Sequence, residues 1–369
     1  MPKKFKILSF CGGGIRGLIS AQLLVRLNKY YMETLKSEES LSQAGCLLAG
    51  TSTGSIISNF LASGLDPEEV RDFYEFVMPV MMSKKNTDPS KPEYGTADII
   101  NFITEHFPQL DIGKKFGDLP AGKHALMTSF TVSKDTPQSS GDMPTWGPVL
   151  FHNMKTGGDN HRWCGTPDVS MLYASMCSGA MPGMMGSMDI PESKFFGMVD
   201  GAFLHHDPTF AAISTAIASG ISLEDITVID FGTGLMPQFI NDADATKNWG
   251  TKQFMEHQEV PAANMQPLFV NWPQQSPLMN MCLNGTSTDM VPSLSQMMLG
   301  DRYVYLNPDL AKPIAEDDTK PQAIVEMLKA ANSLDLSKAE DLLLNCWCDS
   351  PIQMAQDAQT TQSGISRPN

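Results

Sequence analysis

The chain has 369 residues, 42% of them hydrophobic, and a formal net charge of −15. That length allows one large α/β domain or two smaller ones, with enough apolar residues to bury a sizeable core. The acidic balance excludes nucleic acid as a partner and argues against simple electrostatic docking on anionic lipid.

No stretch reaches the roughly 18 apolar residues of a membrane-spanning helix. The start Met1-Pro2-Lys3-Lys4 is basic, but the apolar run that follows, Ile7 to Cys11, is too short for the h-region of a signal peptide. Seven cysteines show no framework spacing, and Cys346-Trp347-Cys348 has no second pair to complete a zinc site. The expectation is reduced thiols in a cytoplasmic protein, with no metal and no cofactor.

Phe5 to Phe10 alternates and is rich in β-formers, so it is the first predicted strand. It runs into Cys11-Gly12-Gly13-Gly14-Ile15-Arg16-Gly17 and then a helix with Ile19, Leu23, Leu27 and Tyr30 on one face. A glycine-rich loop feeding a helix N-terminus offers backbone N–H groups to an anion. Two ligands suit it: a phosphate, or the oxyanion of a tetrahedral intermediate. Gly12, Gly14 and Gly17 satisfy G-x-G-x-x-G, yet a dinucleotide site calls for an acidic residue at the end of the second strand. This chain has Gly50-Thr51-Ser52 there, which favours the oxyanion.

Cys46 to Ala49 reads as a buried second strand and Thr53 to Ala62 as a helix, with Ser52 at the junction. Gly50 and Gly54 flank Ser52 two residues either way, the spacing of a nucleophile elbow, whose sharp turn leaves no room for neighbouring side chains. Gly64 ends that helix. Asp66-Pro67-Glu68-Glu69 starts the next with a capping box, and Phe73, Phe76 and Val77 are expected in the core.

Ser83 to Tyr94 reads as an exposed loop, Thr96 to His106 as a helix, and His124 to Val132 and Pro148 to Met154 as strands. Ser133 to Trp146 is a loop placed near the mouth of the site, and Thr156 to Cys164 a flexible segment. His152 and His161 are read as satisfied or solvated histidines, since nothing orients either one. Met181 to Met188 holds four of the chain's 25 methionines, and two readings stand side by side: an adaptable wall for an acyl chain, or core filling.

Ser193 to Val199 is a predicted strand ending in Asp200-Gly201-Ala202. By itself this dipeptide most often makes a turn. A carboxylate at a strand end could also lie beside Ser52 if both strands share a sheet and an edge, and partial burial would raise its pKa enough to accept the serine proton. Ile226 to Phe231 is a strand followed by Gly232-Thr233-Gly234. Beyond it, Asn248 to His257 and Ser293 to Leu299 read as helices, with an irregular stretch, Pro261 to Met281, that suits a lid. Asp301 to Asn307 is a strand, and Pro321 to Ala331 and Ser337 to Cys346 are amphipathic helices, the second capped by Ser337.

Taken in order, the glycine loop Gly12 to Gly17, the elbow Gly50-Thr51-Ser52-Thr53-Gly54 and Asp200-Gly201-Ala202 resemble the patatin-like phospholipase family. The small-residue helix Tyr173 to Pro182 and Gly232-Thr233-Gly234 resemble it further, while Cys11 departs from its pattern. The resemblance implies a three-layer α/β fold, a mostly parallel sheet flanked by helices, with a helical C-terminal extension. It implies Ser52 as nucleophile and Asp200 as its partner, with no histidine. Gly12, Gly13, Gly14, Arg16 and Gly17 would form the oxyanion hole, and membrane phospholipid at the bilayer surface would be the substrate.

Expected boundaries are 1–235 for the catalytic core, 236–349 for a part packed on it as lid or regulator, and 350–369 for a disordered tail. Two alternatives stand beside this reading. One is a soluble esterase or acyltransferase with a Ser-His-Asp triad using His205 or His206. The other is an effector of toxin or defence type, active after a ligand or protein partner engages the C-terminal part, with non-classical export left open. The sequence leaves the oligomeric state undetermined.

Overall fold

The computed structural model describes residues 4–347 except 109, 138–143, 157–162, 237–239, 241–242, 257–276 and 285–288. His161, most of the expected lid and the expected tail lie outside the described residues.

One seven-stranded sheet organises what is described: β1 (Phe5–Phe10), β2 (Leu47–Gly50), β3 (His124–Thr131), β4 (Gly147–His152), β5 (Met198–Asp200), β6 (Ile226–Phe231) and β7 (Tyr303–Leu306). The order is β4-β3-β2-β1-β6-β7, parallel from β3 through β7, with β4 and β5 antiparallel to β3. β1 lies at the centre and is buried at all six positions, as a parallel strand covered on both faces must be. Alternation sends Ile7, Leu47, Leu126 and Val228 to one face and Leu8, Phe10, Leu48 and Ile229 to the other. The helices Gly17–Lys29, Thr53–Ser63, Met171–Ser178 and Pro321–Ser333 cover the second face, and Thr209–Ala218 and Val291–Leu299 cover the first. The result is the expected three-layer α/β architecture. Residues beyond 235 are built into it, since β7 extends the sheet beside β6 and the helix Pro321–Ser333 shares the core of the second face.

The pairing of β3 sets the geometry of the site. β4 takes one of its edges from Leu126 to Thr131. On the other edge, β2 runs alongside up to Met127, opposite Gly50, and β5 takes over at Ser129, opposite Asp200. Asp200 therefore sits on the line that β2 vacates two residues before Ser52. The strand–helix junction there is tight enough to dictate its sequence. A Cβ on Gly50 would collide with the Gly54 carbonyl, and one on Gly54 with the Phe10 carbonyl of β1.

Four expectations are corrected. The strand before Asp200 begins only at Met198, because Gly197 takes a φ of 56° that breaks an extended run. Phe76 is exposed: the helix widens to π geometry over Phe73–Val77, which shifts the helical phase and turns that ring outward. The helix Ser337–Leu342 takes no cap from Ser337; Asp335 receives the Ser337 N–H at 3.0 Å instead. The irregular stretch also ends earlier than expected, with a helix over Pro277–Asn284.

Gly54→Ala is expected to cost about 2–4 kcal/mol, because β1 and the elbow helix must part to admit one methyl group. Urea denaturation measures this, and a midpoint equal to that of the wild type contradicts it.

Candidate active site

Ser52 holds φ 52° and ψ −122°, a strained backbone for a residue with a side chain, and is nearly buried. The turn persists because its surroundings fix it. The Ser52 N–H donates to Ser178 Oγ at 2.8 Å, the Gly54 N–H to the Thr51 carbonyl at 2.7 Å, and Ser55 Oγ to the Ser52 carbonyl at 2.6 Å. Ser52 thus stands at the N-terminus of the helix Thr53–Ser63, whose partial positive charge faces it.

Asp200 is fully buried. Its N–H donates to the Ala180 carbonyl at 3.0 Å, and its Oδ1 accepts the Ala202 N–H at 2.8 Å. Oδ2 has no full hydrogen bond, and the Ser52 hydroxyl is the side chain near enough to favour the ionised form. Burial pushes the Asp200 pKa up to about 7; the Ala202 N–H and the Ser52 hydroxyl oppose the rise, and the Glu316 charge adds to it. Asp200-Gly201 is no hairpin turn here. It joins β5 to a short helix, Ala202–His205, and a Cβ on Gly201 would strike Thr128.

The glycine loop runs over Ser52, since a Cβ on Gly12 would lie 3.4 Å from the Ser52 Cβ. Its N–H groups can be accounted for one by one. Gly12 donates to the His206 carbonyl at 2.9 Å, Ile15 to the Glu316 carbonyl at 2.8 Å and Arg16 to the Gly13 carbonyl at 3.1 Å, while Gly17 donates to carbonyls of its own turn. Gly13 and Gly14 keep N–H groups with no partner among the described residues. Their φ values of 147° and 59°, and the contact of Gly13 with Thr233 and of Gly14 with Glu316, require glycine at both. Gly17 packs its bare Cα against Thr53 and Tyr74 and opens the following helix.

Arg16 is buried. It reaches Glu316 Oε1 at 3.3 Å, the Ile314 carbonyl at 3.2 Å and Met236 Sδ at 3.3 Å, all three buried. The segment Ile314 to Glu316 thereby braces the glycine loop by one backbone and two side-chain contacts. Glu316 escaped the sequence reading because it lies in an irregular Pro/Asp-rich stretch 300 positions from its partner, with no local signal. Thr233 Oγ1, which donates to the Gly12 carbonyl at 2.6 Å, and Ser178 were both within motifs already noted.

An apolar cavity of about 70 Å³ opens beside Ser52. Met78, Met81 and Met82 form one side, and Met181, Met184 and Met185 another, with Gly14 and Glu316 at its wall. Of the methionine run, Met181, Met184 and Met185 thus line this cavity, while Met188 is buried in the core.

The remaining candidates separate cleanly. His152 is buried, with Nε2 3.1 Å from the Trp163 carbonyl and Nδ1 accepting the Met154 N–H. No histidine nitrogen hydrogen-bonds to Ser52 or Asp200 among the described residues. His206 lies against Gly12 with Nε2 unpartnered, and burial, then Arg16, push its pKa down to about 4. Cys11, Asp207 and Asp230 bring ligand atoms within 4.8 Å of one another and are the described side chains that could hold a metal. Hydrogen bonds already occupy most of them: Tyr303 Oη donates to Asp230 at 2.8 Å, Cys11 Sγ to Asp230 at 3.7 Å, and the Thr209 N–H to Asp207 at 2.8 Å. Burial raises both carboxyl pKa values, and Asp207 Oδ2 has no hydrogen-bond partner among the described residues. This knot also explains Cys11, whose thiol feeds Asp230 from behind the loop.

The family model described as patatin-like phospholipase matches residues 8–213, more than half of the chain, from within β1 to past Asp200. The chain belongs to the patatin-like phospholipase family. Among curated patatin-like relatives, Protein teg of Priestia megaterium is 26% identical over 358 residues, covering 93% of this chain and 99% of that protein. CotR of Bacillus subtilis is 24% identical over 364 residues, covering 93% and 98%. Patatin-like protein 4 of Arabidopsis thaliana is 24% identical over 299 residues, covering 69% and 67%. Lipid acyl hydrolysis is the general activity that this membership supports. No helix among the described residues is long and apolar enough to cross a membrane.

Burial of carboxyls has a consequence for stability. Asp200, Asp207 and Glu316 have folded pKa values of about 7, 6 and 7, against roughly 4 in an unfolded chain. Between those limits the folded state holds protons that the unfolded state releases, so their contribution falls as pH rises from about 4 through 7. Asp200→Asn removes one such group. Calorimetry at pH 5 and pH 8 should show a smaller loss of Tm in this variant than in the wild type, and an equal loss contradicts the assignment.

Proposed function

We propose that the chain is a phospholipase A-type lipid acyl hydrolase that works through Ser52 and Asp200. The observation that carries this is the pairing of a strained, near-buried serine with a fully buried carboxyl that its hydroxyl is near enough to stabilise and whose Oδ2 has no hydrogen-bond partner. Ser52 Oγ attacks the ester carbonyl carbon and its proton passes to Asp200, a base raised toward neutrality. Negative charge on the carbonyl oxygen is taken by the N–H groups of Gly13 and Gly14. The intermediate collapses to an acyl-Ser52, and the leaving lysophospholipid oxygen takes the proton back from Asp200. Water then gives a proton to Asp200 and attacks the acyl carbon. Oγ recovers that proton as the fatty acid leaves.

In this reading Gly50 and Gly54 shape the elbow, and Gly12, Arg16 and Gly17 hold the loop without donating to the oxyanion. Residues 1–235 carry the chemistry and 236–349 brace it through Glu316. The enzyme acts peripherally at a membrane, without cofactor or metal. No observation favours the histidine triad or a partner-dependent effector over this scheme.

Fatty-acid release from phosphatidylcholine vesicles tests it. Ser52→Ala and Asp200→Asn should each lower the rate by about 10³-fold or more. Ser52→Ala protein that still releases fatty acid at the wild-type rate rules the scheme out. Glu316→Gln leaves the cavity volume intact and weakens the brace. Its kcat should fall roughly ten- to a hundredfold with KM little changed, because loop placement matters in the transition state. A pure KM effect would instead mean that Glu316 contacts substrate.

A further inference from the structure

Phe76 is 61% exposed and Val80 57% exposed. They lie four positions apart on successive helical turns, and the exposed Lys84 lies three residues past the end of the helix Met78–Met81. Val80 and Lys84 border a surface hollow of about 370 Å³ between the helices Met78–Met81 and Thr96–His106, whose other walls include Met81, Tyr94, Ile99 and Phe102. Met81, Tyr94 and Ile99 also line the cavity that holds Ser52. One layer of side chains, including a flexible methionine, therefore separates the surface hollow from the cavity that Ser52 lines.

We infer that this face docks on a phospholipid bilayer, with Phe76 and Val80 inserted among the lipids and the substrate acyl chain passing through the hollow to Ser52. The inference rests on the proposed hydrolase reading and adds the surface and the route. The charges nearby select the kind of bilayer. Lys85 is committed to Asp317 at 2.7 Å and Glu93 at 3.0 Å, and Lys91 lies 3.8 Å from Asp88. Lys84 is opposed by Asp98 and Glu105 on the wall of the hollow. The face is no basic patch, and the chain carries a net −15, so attachment is apolar and suits a zwitterionic surface. Removing one Phe and one Val from a bilayer changes partitioning on the order of a hundredfold.

The test uses the full chain carrying Ser52→Ala, so that vesicles stay intact, with and without Phe76→Ser and Val80→Ser. Co-sedimentation with phosphatidylcholine vesicles should be strong without the two surface changes, weaken by roughly tenfold or more with them, and change little with added salt. In the chain with Ser52 restored, Phe76→Ser alone, which leaves the lining of the hollow untouched, should cut fatty-acid release from vesicles but leave hydrolysis of p-nitrophenyl butyrate within about twofold. Equal pelleting of both proteins, or pelleting of neither, overturns the docking face; so does an equal fall in both hydrolytic rates. Pelleting that requires phosphatidylserine and vanishes with salt also overturns it, in favour of an electrostatic site. Failure of the hydrolase reading would show separately, as undiminished ester hydrolysis by Ser52→Ala.

Discussion

A carboxyl removed from water, with one oxygen tied and the other left open, is the constraint on which the rest of this structure depends. Desolvation makes the charged form of Asp200 costly, and only the Ala202 N–H and the Ser52 hydroxyl offset that cost. The position is set by sheet topology. β5 continues the edge of β3 where β2 stops, so the carboxyl arrives beside the elbow without any histidine to bridge the gap. A two-residue scheme needs this environment, because an ordinary solvated aspartate is far too weak a base for a serine hydroxyl.

Around that pair the backbone is packed to contact. The Phe10 carbonyl meets Gly54, the Gly54 carbonyl meets Gly50, and the Glu316 carbonyl meets Gly14. Each glycine marks a place where two main chains touch, and together they leave the N–H groups of Gly13 and Gly14 without a partner among the described residues. The C-terminal part contributes to the loop through one buried ion pair, Arg16 to Glu316, the Arg16 hydrogen bond to the Ile314 carbonyl, and one backbone hydrogen bond, Ile15 to Glu316. Behind the loop, the Cys11, Asp207 and Asp230 knot anchors the strand end from the opposite side. The loop is thus fixed from both flanks while its middle stays free.

Much of this was legible in the amino-acid order because its causes are local. The glycines at 50 and 54 are required by a turn spanning five residues, and the capping box at Asp66 and Glu69 forms as its spacing predicts. The alternating strand and helix patterns pointed to an α/β domain, and the family resemblance implied its three layers. What escaped depended on distant partners or on helix phase. Glu316 has no periodic context and meets Arg16 only in the folded chain. Phe76 fits an apolar stripe on paper, but the π turn at Phe73–Val77 swings it to the surface. Asp200 reads most simply as a turn residue, and its burial becomes visible only once β5 is paired with β3. The role of Met181 to Met185 likewise needed the opposing methionines of another helix to define a cavity.

The central claim is that Asp200 activates Ser52 with a pKa lifted by burial. Its most direct test is the rate at which a fluorophosphonate labels Ser52 as pH varies, followed by mass spectrometry of the labelled peptide. In the wild type the rate should rise with pH to a plateau, with its midpoint near the raised carboxyl value of about 7, and in Asp200→Asn it should be slow and flat. A midpoint near that of an exposed aspartate, roughly 4, or labelling of Asp200→Asn as fast as the wild type, would contradict the account.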